Sequence, residues 1–238
     1  MKILALETAT EACSVALLTE RGMVERFELA PRRHAELALP MADAVLAEAG
    51  VRRSQLDAIA FGRGPGAFTG VRLAVSIAQG LSLGLERPLV PVSTLAALAL
   101  DAAAATAAAT SNDVSSILAV IDARMGEIYA CAFDRDADGL VTAAAEEWVG
   151  PAEALDVPPR RAWVVCGSGW GAWEGVRRTR LTVEPRAALP ELLPHAASVA
   201  RLALRELRAG RGLDAANALP VYLRDKVALT IAEQRDRG

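Results

Sequence analysis

Gly62 to Arg72 reads Gly-Arg-Gly-Pro-Gly-Ala-Phe-Thr-Gly-Val-Arg, with four glycines and a proline directly ahead of a helical apolar pattern. Glycine permits positive φ and close backbone approach, so such a loop meets a phosphate, another stretch of backbone or a partner. Phosphate chemistry makes its own demands. A Walker A loop needs a lysine that reaches the β- and γ-phosphates, and the only lysines here are Lys2 and Lys226. The dinucleotide fingerprint Gly-x-Gly-x-x-Gly fails too, since Gly62-x-Gly64 is followed by Gly66 and then Gly70. The strand–loop–helix context still suits an anion at the helix N-terminus, so anion contact, structural turn and protein interface all stay open. The following helix favours the interface. Ala74, Ser76, Ala78, Gly80, Ser82 and Gly84 leave little side chain on much of its surface. Interior glycines cost about 1 kcal/mol each against alanine, which close packing by another helix, of this chain or a second one, would explain.

The remaining chemical candidates are sparse. His34 and His195 are the only histidines, and no His-x-x-x-His or His-Glu-x-x-His occurs, which argues against a dedicated transition-metal site. His34 reads as a cap or flank of the first helix. Ser168 has Cys166 where a Gly-x-Ser-x-Gly elbow would place its first glycine. Asp122-Ala-Arg124 follows an apolar strand and reads as a turn with an ion pair, with a polar site at a strand end as the alternative. Arg201, Arg205 and Arg208 form an i, i+4, i+7 stripe, read as a solvated face, with RNA attraction as the sharper alternative. Ile3-Leu-Ala-Leu-Glu7-Thr-Ala-Thr10 leads into Cys13-Ser-Val-Ala-Leu17 as strand, polar turn, strand. In actin- and hexokinase-like kinases that turn carries an aspartate that organises metal and phosphates. Glu7 stands nearest here and the turn lacks glycine, which weakens a phosphotransferase reading.

The elements that must position these residues follow from pattern. The chain has 238 residues, 53% hydrophobic but only 4% aromatic, so its core is built from Leu, Val, Ile and Ala. A net charge of −3 argues against a broad nucleic-acid-binding face. Three dispersed cysteines without Cys-x-x-Cys fit a reducing compartment and neither a disulfide framework nor a zinc site. The first residues run straight into a strand, with no signal peptide. The longest apolar stretch, Leu95 to Ala109, is interrupted by Asp101 and is too short for a membrane span. The expectation is a soluble, cytoplasmic protein without a membrane partner. Strands are expected at Lys2–Thr8, Ser14–Thr19 and Met23–Leu29 as a meander, then a helix at His34–Ala49, where Pro40 implies a kink or a true start near Leu39. A strand at Leu56–Phe61 enters the glycine-rich loop. Thr69 is the expected N-cap of the next helix, to about Leu83, with Phe68 and Leu73 as its hydrophobic staple. Leu89–Val92 is a strand, and Ser93 or Thr94 caps an alanine-rich helix to about Thr110. After a linker at Ala107–Ser116 come strands at Ile117–Ile121, Ile128–Phe133, Leu140–Ala145 and Trp163–Cys166, and a helix at His195–Ala209. The order predicts an α/β chain, a mixed sheet covered by helices, and no short-period repeat is present.

Five segments, in order along the chain, carry a resemblance: Ile3 to Thr10, Arg33-His-Ala-Glu-x-x-x-Pro40, Gly62 to Arg72, Asp122-Ala-Arg-Met-Gly-Glu127 and Pro220-Val-Tyr-Leu-Arg224. They resemble the TsaB (YeaZ) family, the dimerisation subunit of the bacterial tRNA threonylcarbamoyladenosine machinery. The resemblance implies two actin-like (ASKHA) lobes with ribonuclease-H-like mixed sheets flanked by helices, here residues 1–108 for the partner-binding lobe and 109–238 for a smaller one. It implies a complex with the paralogous catalytic subunit TsaD and the ATPase TsaE, which places a threonylcarbamoyl group on N6 of the adenosine beside the anticodon of ANN-decoding tRNAs. The tRNA is touched only indirectly, no cofactor is implied, and the chain alone is expected to self-associate. The catalytic paralogue looks like Val-Asn-His-Leu-x-x-His, its two histidines holding a metal. This chain has Val92-Ser-Thr-Leu-Ala-Ala-Leu98, so Thr94 and Leu98 fill the ligand positions, and leucine cannot ligate a metal. The implied role is a non-catalytic scaffold. Ala67, where many relatives carry serine, removes a hydroxyl from the loop. The expected partner contacts are His34, Glu36, Leu37, Pro40, Met41, Ala44, Gly64, Pro65, Gly66, Phe68, Thr69, Arg72, Ser76, Gln79 and Gly80. The alternatives are a stand-alone nucleotide-dependent transferase and a peptidase, the latter without any Ser-His, Cys-His or zinc motif in the sequence.

Overall fold

Period-two alternation sorts the apolar strands onto two faces even where both faces are buried. In the computed structural model, which describes residues 1–107, 116–173 and 184–224, Ile3 and Ala5 enter one core while Leu4 and Leu6 enter another. These belong to β1 (Ile3–Glu7), which with β2 (Ala12–Thr19) and β3 (Gly22–Leu29) makes the expected antiparallel meander. β4 (Ala58–Gly62) and β5 (Leu89–Val92) add parallel strands, giving the order β3-β2-β1-β4-β5. The second sheet contains β6 (Ser116–Arg124), β7 (Glu127–Arg135), β8 (Val141–Ala143), β10 (Val164–Cys166) and β11 (Ala187–Leu189) in the order β11-β10-β6-β7-β8, with β9 (Trp148–Pro151) paired to β7. Its strands again run antiparallel on one side of the first strand and parallel on the other. The two sheets are thus one ribonuclease-H-like design built twice. β9 and β11 were not expected, because Trp-Val-Gly-Pro and Ala-Ala-Leu carry turn or weak strand propensity. The expected linker at Ala107–Ser116, and the helix extension to Thr110, lie almost wholly outside the described residues.

α1 (His34–Glu48) and α2 (Phe68–Leu85) cover one face of the first sheet. α3 (Thr94–Thr106) and α4 (Ala196–Arg208) lie between the two sheets and share one core with both. α3 is accordingly apolar nearly all round, and Ser93 caps it by accepting from the Ala96 N–H at 3.2 Å. α2 is long and apolar enough to cross a membrane by length and composition. Here Val71, Ala74, Val75 and Ala78 turn into the core against β4. α4 follows the second sheet in sequence yet packs on β1 and β2 of the first. Its N-terminus is held by side chains from elsewhere. Ser14 Oγ accepts from the Ala196 N–H, a Glu25 carboxylate oxygen from that of Ala197, and Asp101 from that of His195, at 3.0, 3.0 and 2.9 Å. This satisfies donors that a helix leaves orphaned.

Two expected starts are corrected. α1 runs unbroken from His34, so its start is not at Leu39; Pro40 sits inside it. α2 begins at Phe68 with Ala67 in the cap position and no side-chain cap bond, so Thr69 is not the cap. Phe68 is 48% exposed and packs on Arg72 rather than forming a staple.

Gly62, Gly66 and Gly70 stand against the chain's own β1–β2 turn, which among the readings left open for the loop favours the structural one. A Cβ on Gly70 would stand 2.0 Å from the Thr8 carbonyl oxygen, one on Gly66 2.5 Å from that of Ala9, and one on Gly62 2.1 Å from a Glu7 carboxylate oxygen. Real Cβ atoms do not approach so closely, so only glycine fits. Gly80, by contrast, faces open space. Gly70→Ala is therefore expected to destabilise the chain by about 2–3 kcal/mol or more through backbone displacement. Gly80→Ala should instead stabilise by about 0.5–1 kcal/mol. Urea unfolding of the two variants checks the contrast.

Candidate functional site

The end of β1, the glycine-rich loop and the start of α3 converge on Glu7, which is 1% exposed. Its carboxylate accepts from the Ala9 N–H at 2.7 Å and from the Thr94 hydroxyl at 2.9 Å. Thr8 Oγ1 donates to the Gly70 carbonyl at 2.7 Å, and the Ala67 N–H donates to the Ala9 carbonyl at 2.7 Å. Thr94 is fully buried and Leu98 lies in the shared core. Thr94 is thus closed onto Glu7 by a hydrogen bond, and Leu98 makes only apolar contacts. Among the described residues, no three His, Cys, Asp or Glu side chains converge as a metal site requires.

Burial pushes the Glu7 carboxyl up to about 7, against the bonds from Ala9 and Thr94 that favour its charge. Burial likewise raises Asp101 to about 6, although Ser198 and His195 donate to it. His195 is raised by its hydrogen bond to Glu25, with Nδ1 3.1 Å from Oε2 and its ring stacked on Phe27 at 4.2 Å. At Glu25, burial works upward, but bonds from His195, Ala197 and Ser14 outweigh it and hold the carboxyl low.

A cleft of about 340 Å³ separates the sheets next to this hub. It is lined by residues 9–11, 66–68 and 121–124, with Val71, Tyr129, Ser168, Val221, Tyr222 and Arg224. Asp122 and Arg124 form the expected turn with an ion pair at 3.0 Å, and Arg124 also reaches Glu11 at 3.5 Å. Arg63 crosses between the sheets in a two-bond pair with Glu147, at 3.0 Å each. The arginine stripe on α4 is not uniformly solvated: Arg205 pairs with Asp136 and donates to the Val141 carbonyl, both at 2.9 Å.

The expected partner contacts divide by accessibility. Glu36, Pro40 and Ala44 on α1, and Phe68, Thr69, Arg72, Ser76 and Gly80 on α2, are exposed on neighbouring helices of one face. Leu37 and Met41 are half-buried against the core. Gly64 and Pro65 are buried and Gly66 is half-buried against Ala9, so these three present little or no surface to a partner. His34 Nε2 lies 2.9 Å from the Thr10 carbonyl, and Gln79 is spent on the carbonyls of Ala215 and Ala218 at 3.0 Å each. The six small residues of α2 are not one surface. Ala74, Ala78 and Ser82 face inward, while Ser76, Gly80 and Gly84 face outward. Sequence reading overlooked Leu39 and Leu83, 47% and 72% exposed on the same outer faces. Helical spacing was the signal, since Leu39 lies three residues from Glu36, and Leu83 three residues from Gly80.

Fold and site together define a two-lobed, actin-like α/β protein, each lobe built on a ribonuclease-H-like sheet, with Glu7 closed onto Thr94 by a buried hydrogen bond. A family model described as TsaD, tRNA N6-adenosine threonylcarbamoyltransferase, matches residues 21–166. The tRNA threonylcarbamoyladenosine biosynthesis protein TsaB of Escherichia coli is 39% identical over 231 residues, 96% of each chain. YeaZ from Pseudomonas aeruginosa superposes with a TM-score of 0.84 at 44% identity, covering 93% of this chain and 99% of that one. A second Pseudomonas aeruginosa structure, described as an uncharacterized protein with similarity to peptidase YEAZ, gives the same TM-score of 0.84 and identity of 44%, covering 94% of this chain and 99% of that one. The chain belongs to the TsaB family.

Because Glu7 binds its proton more tightly when folded, its contribution to stability is full below about pH 4.5 and is lost as pH rises towards about 7. Asp101 and His195 act in the same sense as pH rises through their folded values. Glu7→Gln mimics the protonated acid. It is expected to remove the Glu7 part of this decline and to raise stability at pH 7.5 by on the order of 3 kcal/mol. Urea unfolding of both proteins at pH 5 and 7.5 checks it.

Proposed function

We propose that the chain is a non-catalytic scaffold for N6-threonylcarbamoylation of the adenosine beside the anticodon of ANN-decoding tRNAs. It acts by pairing, through the outer faces of α1 and α2, with the catalytic subunit TsaD. The observation that carries this reading is the outer face of α2. A line of Ser76, Gly80 and Gly84 has almost no side chain, and Leu83 and Leu39 are exposed around it. Bare backbone lets a second helix approach to about 8 Å, and exposed apolar side chains grouped on one face mark an interaction site. The filled metal position at Glu7, Thr94 and Leu98 supports a role without chemistry of its own. TsaE completes the assembly, tRNA is held through the catalytic subunit, and the chain alone buries the same face by self-association.

A second reading, a nucleotide-dependent transferase acting alone, is favoured only by the cleft between the lobes. Its walls hold no lysine, and the β1–β2 turn holds Glu7 in hydrogen bonds rather than free for a metal. Calorimetric titration with Mg-ATP separates the readings, because binding in the micromolar range by the isolated chain would establish the second.

Ala78 is buried in the core, so a bulky residue there would disturb the fold itself; Gly80 is the position that tests pairing. Gly80→Trp is expected to leave the free chain folded and to weaken association with TsaD at least 100-fold, with loss of tRNA modification in the reconstituted system. Co-elution of this variant with TsaD at micromolar concentration would sink the proposed surface.

A further inference from the structure

The chain after α4 runs back across the first lobe as an extended tail. Leu213 and Leu89 exchange backbone hydrogen bonds at 2.8 Å each. Gln79 donates to the carbonyls of Ala215 and Ala218, whose side chains are buried in the core that α2 covers. The Val221 N–H donates to the Arg63 carbonyl at 2.9 Å. The Arg72 guanidinium lies 3.6 Å from the Phe68 ring centroid and donates to the Tyr222 hydroxyl. Arg224 then donates to the Ala123 carbonyl at 3.1 Å and pairs with Glu127 on the second sheet.

These contacts set the tail antiparallel to α2, with Ala218 beside Gln79 and Tyr222 beside Arg72. α1 packs over β2 and β3, α2 over β4, and the tail reaches β5. With the sheet order β3-β2-β1-β4-β5, the tail and α1 flank α2 on opposite sides. The bare line of Ser76, Gly80 and Gly84 is then the floor of a trough. Leu39 and Pro40 stand on one bank, and Leu219 and Tyr222 on the other, 63% and 46% exposed. Backbone hydrogen bonds at Leu213 and Val221, and Gln79 on Ala215 and Ala218, hold the tail, yet it turns a leucine and a tyrosine outward. Apolar side chains on an already ordered backbone bind with little further loss of entropy, the condition under which a few residues dominate an interface.

We propose that Leu219 and Tyr222 form the third wall of the docking surface, and that its occupant is a helix of the partner laid along α2 between the tail and α1. This rests on the pairing proposed above. The test is calorimetric titration of the full chain with purified TsaD, using Gly80→Trp, Leu219→Ser and Tyr222→Ala, with thermal unfolding and sedimentation of each free variant. Leu219→Ser is expected to weaken binding at least tenfold while leaving the midpoint of unfolding within about 2 °C, since the side chain is mostly in solvent. Tyr222→Ala should weaken binding by at least as much. If Gly80→Trp abolishes binding but both tail variants bind within twofold of the parent, the third wall is overturned and helix pairing stands. If Gly80→Trp binds like the parent, both readings fall. If the tail variants lose only self-association, the trough belongs to a second copy of this chain and the proposed occupant is wrong.

Discussion

The turn between β1 and β2 rests directly on the backbone of the glycine-rich loop, and the first lobe is organised around that contact. Thr8 and Ala9 fill the space that side chains on Gly70 and Gly66 would need, while the Glu7 carboxylate fills the space beside Gly62. Reciprocal bonds fasten the two segments: Thr8 to Gly70, Ala67 to Ala9, and Ala9 and Thr94 to Glu7. This contact fixes where α2 leaves the sheet. It thereby fixes which side of α2 enters the core and which side faces outward. A loop that resembles a phosphate cradle is in this chain a backbone-to-backbone joint.

The same joint closes the carboxylate at the end of β1. The carboxylate that stands nearest the nucleotide-organising position is desolvated, hydrogen-bonded and shifted towards neutrality, and Thr94 is its partner rather than a ligand. A second buried network, of Ser14, Glu25, Asp101, His195 and Ser198, anchors the start of α4. Its members come from the first sheet, α3 and α4, so it joins elements far apart in sequence. Both networks spend polar side chains on rigidity. For the pairing proposed above, a rigid frame that holds α1, α2 and the tail at fixed spacing lowers the ordering cost of association.

Much of the architecture was legible from periodicity. The meander, both long N-terminal helices, α3 and its Ser93 cap, and most second-sheet strands follow from alternation and turn residues. Thr69 misled because Ser and Thr favour caps, yet here the tight Ala67–Ala9 bond sets the start of the helix two residues earlier. Ala78 and Gly80 were read as one surface, although two residues along a helix differ by about 200° and so lie on opposite sides. The repeat of one sheet design followed from the family resemblance and not from periodicity, because strand order arises from pairing between distant segments.

By itself the sequence determined most of the strand and helix segments, the fold class and the family. These depend on local pattern and on residue types, which are present in the chain whatever its fold. Only the tertiary structure decided the use of those residues. It turned the loop glycines inward to Thr8 and Ala9, closed Glu7 onto Thr94, and laid the tail beside α2. These outcomes depend on which distant segments come within a few ångströms of each other. Steric exclusion and hydrogen bonding act at that range, and no spacing along the chain encodes it.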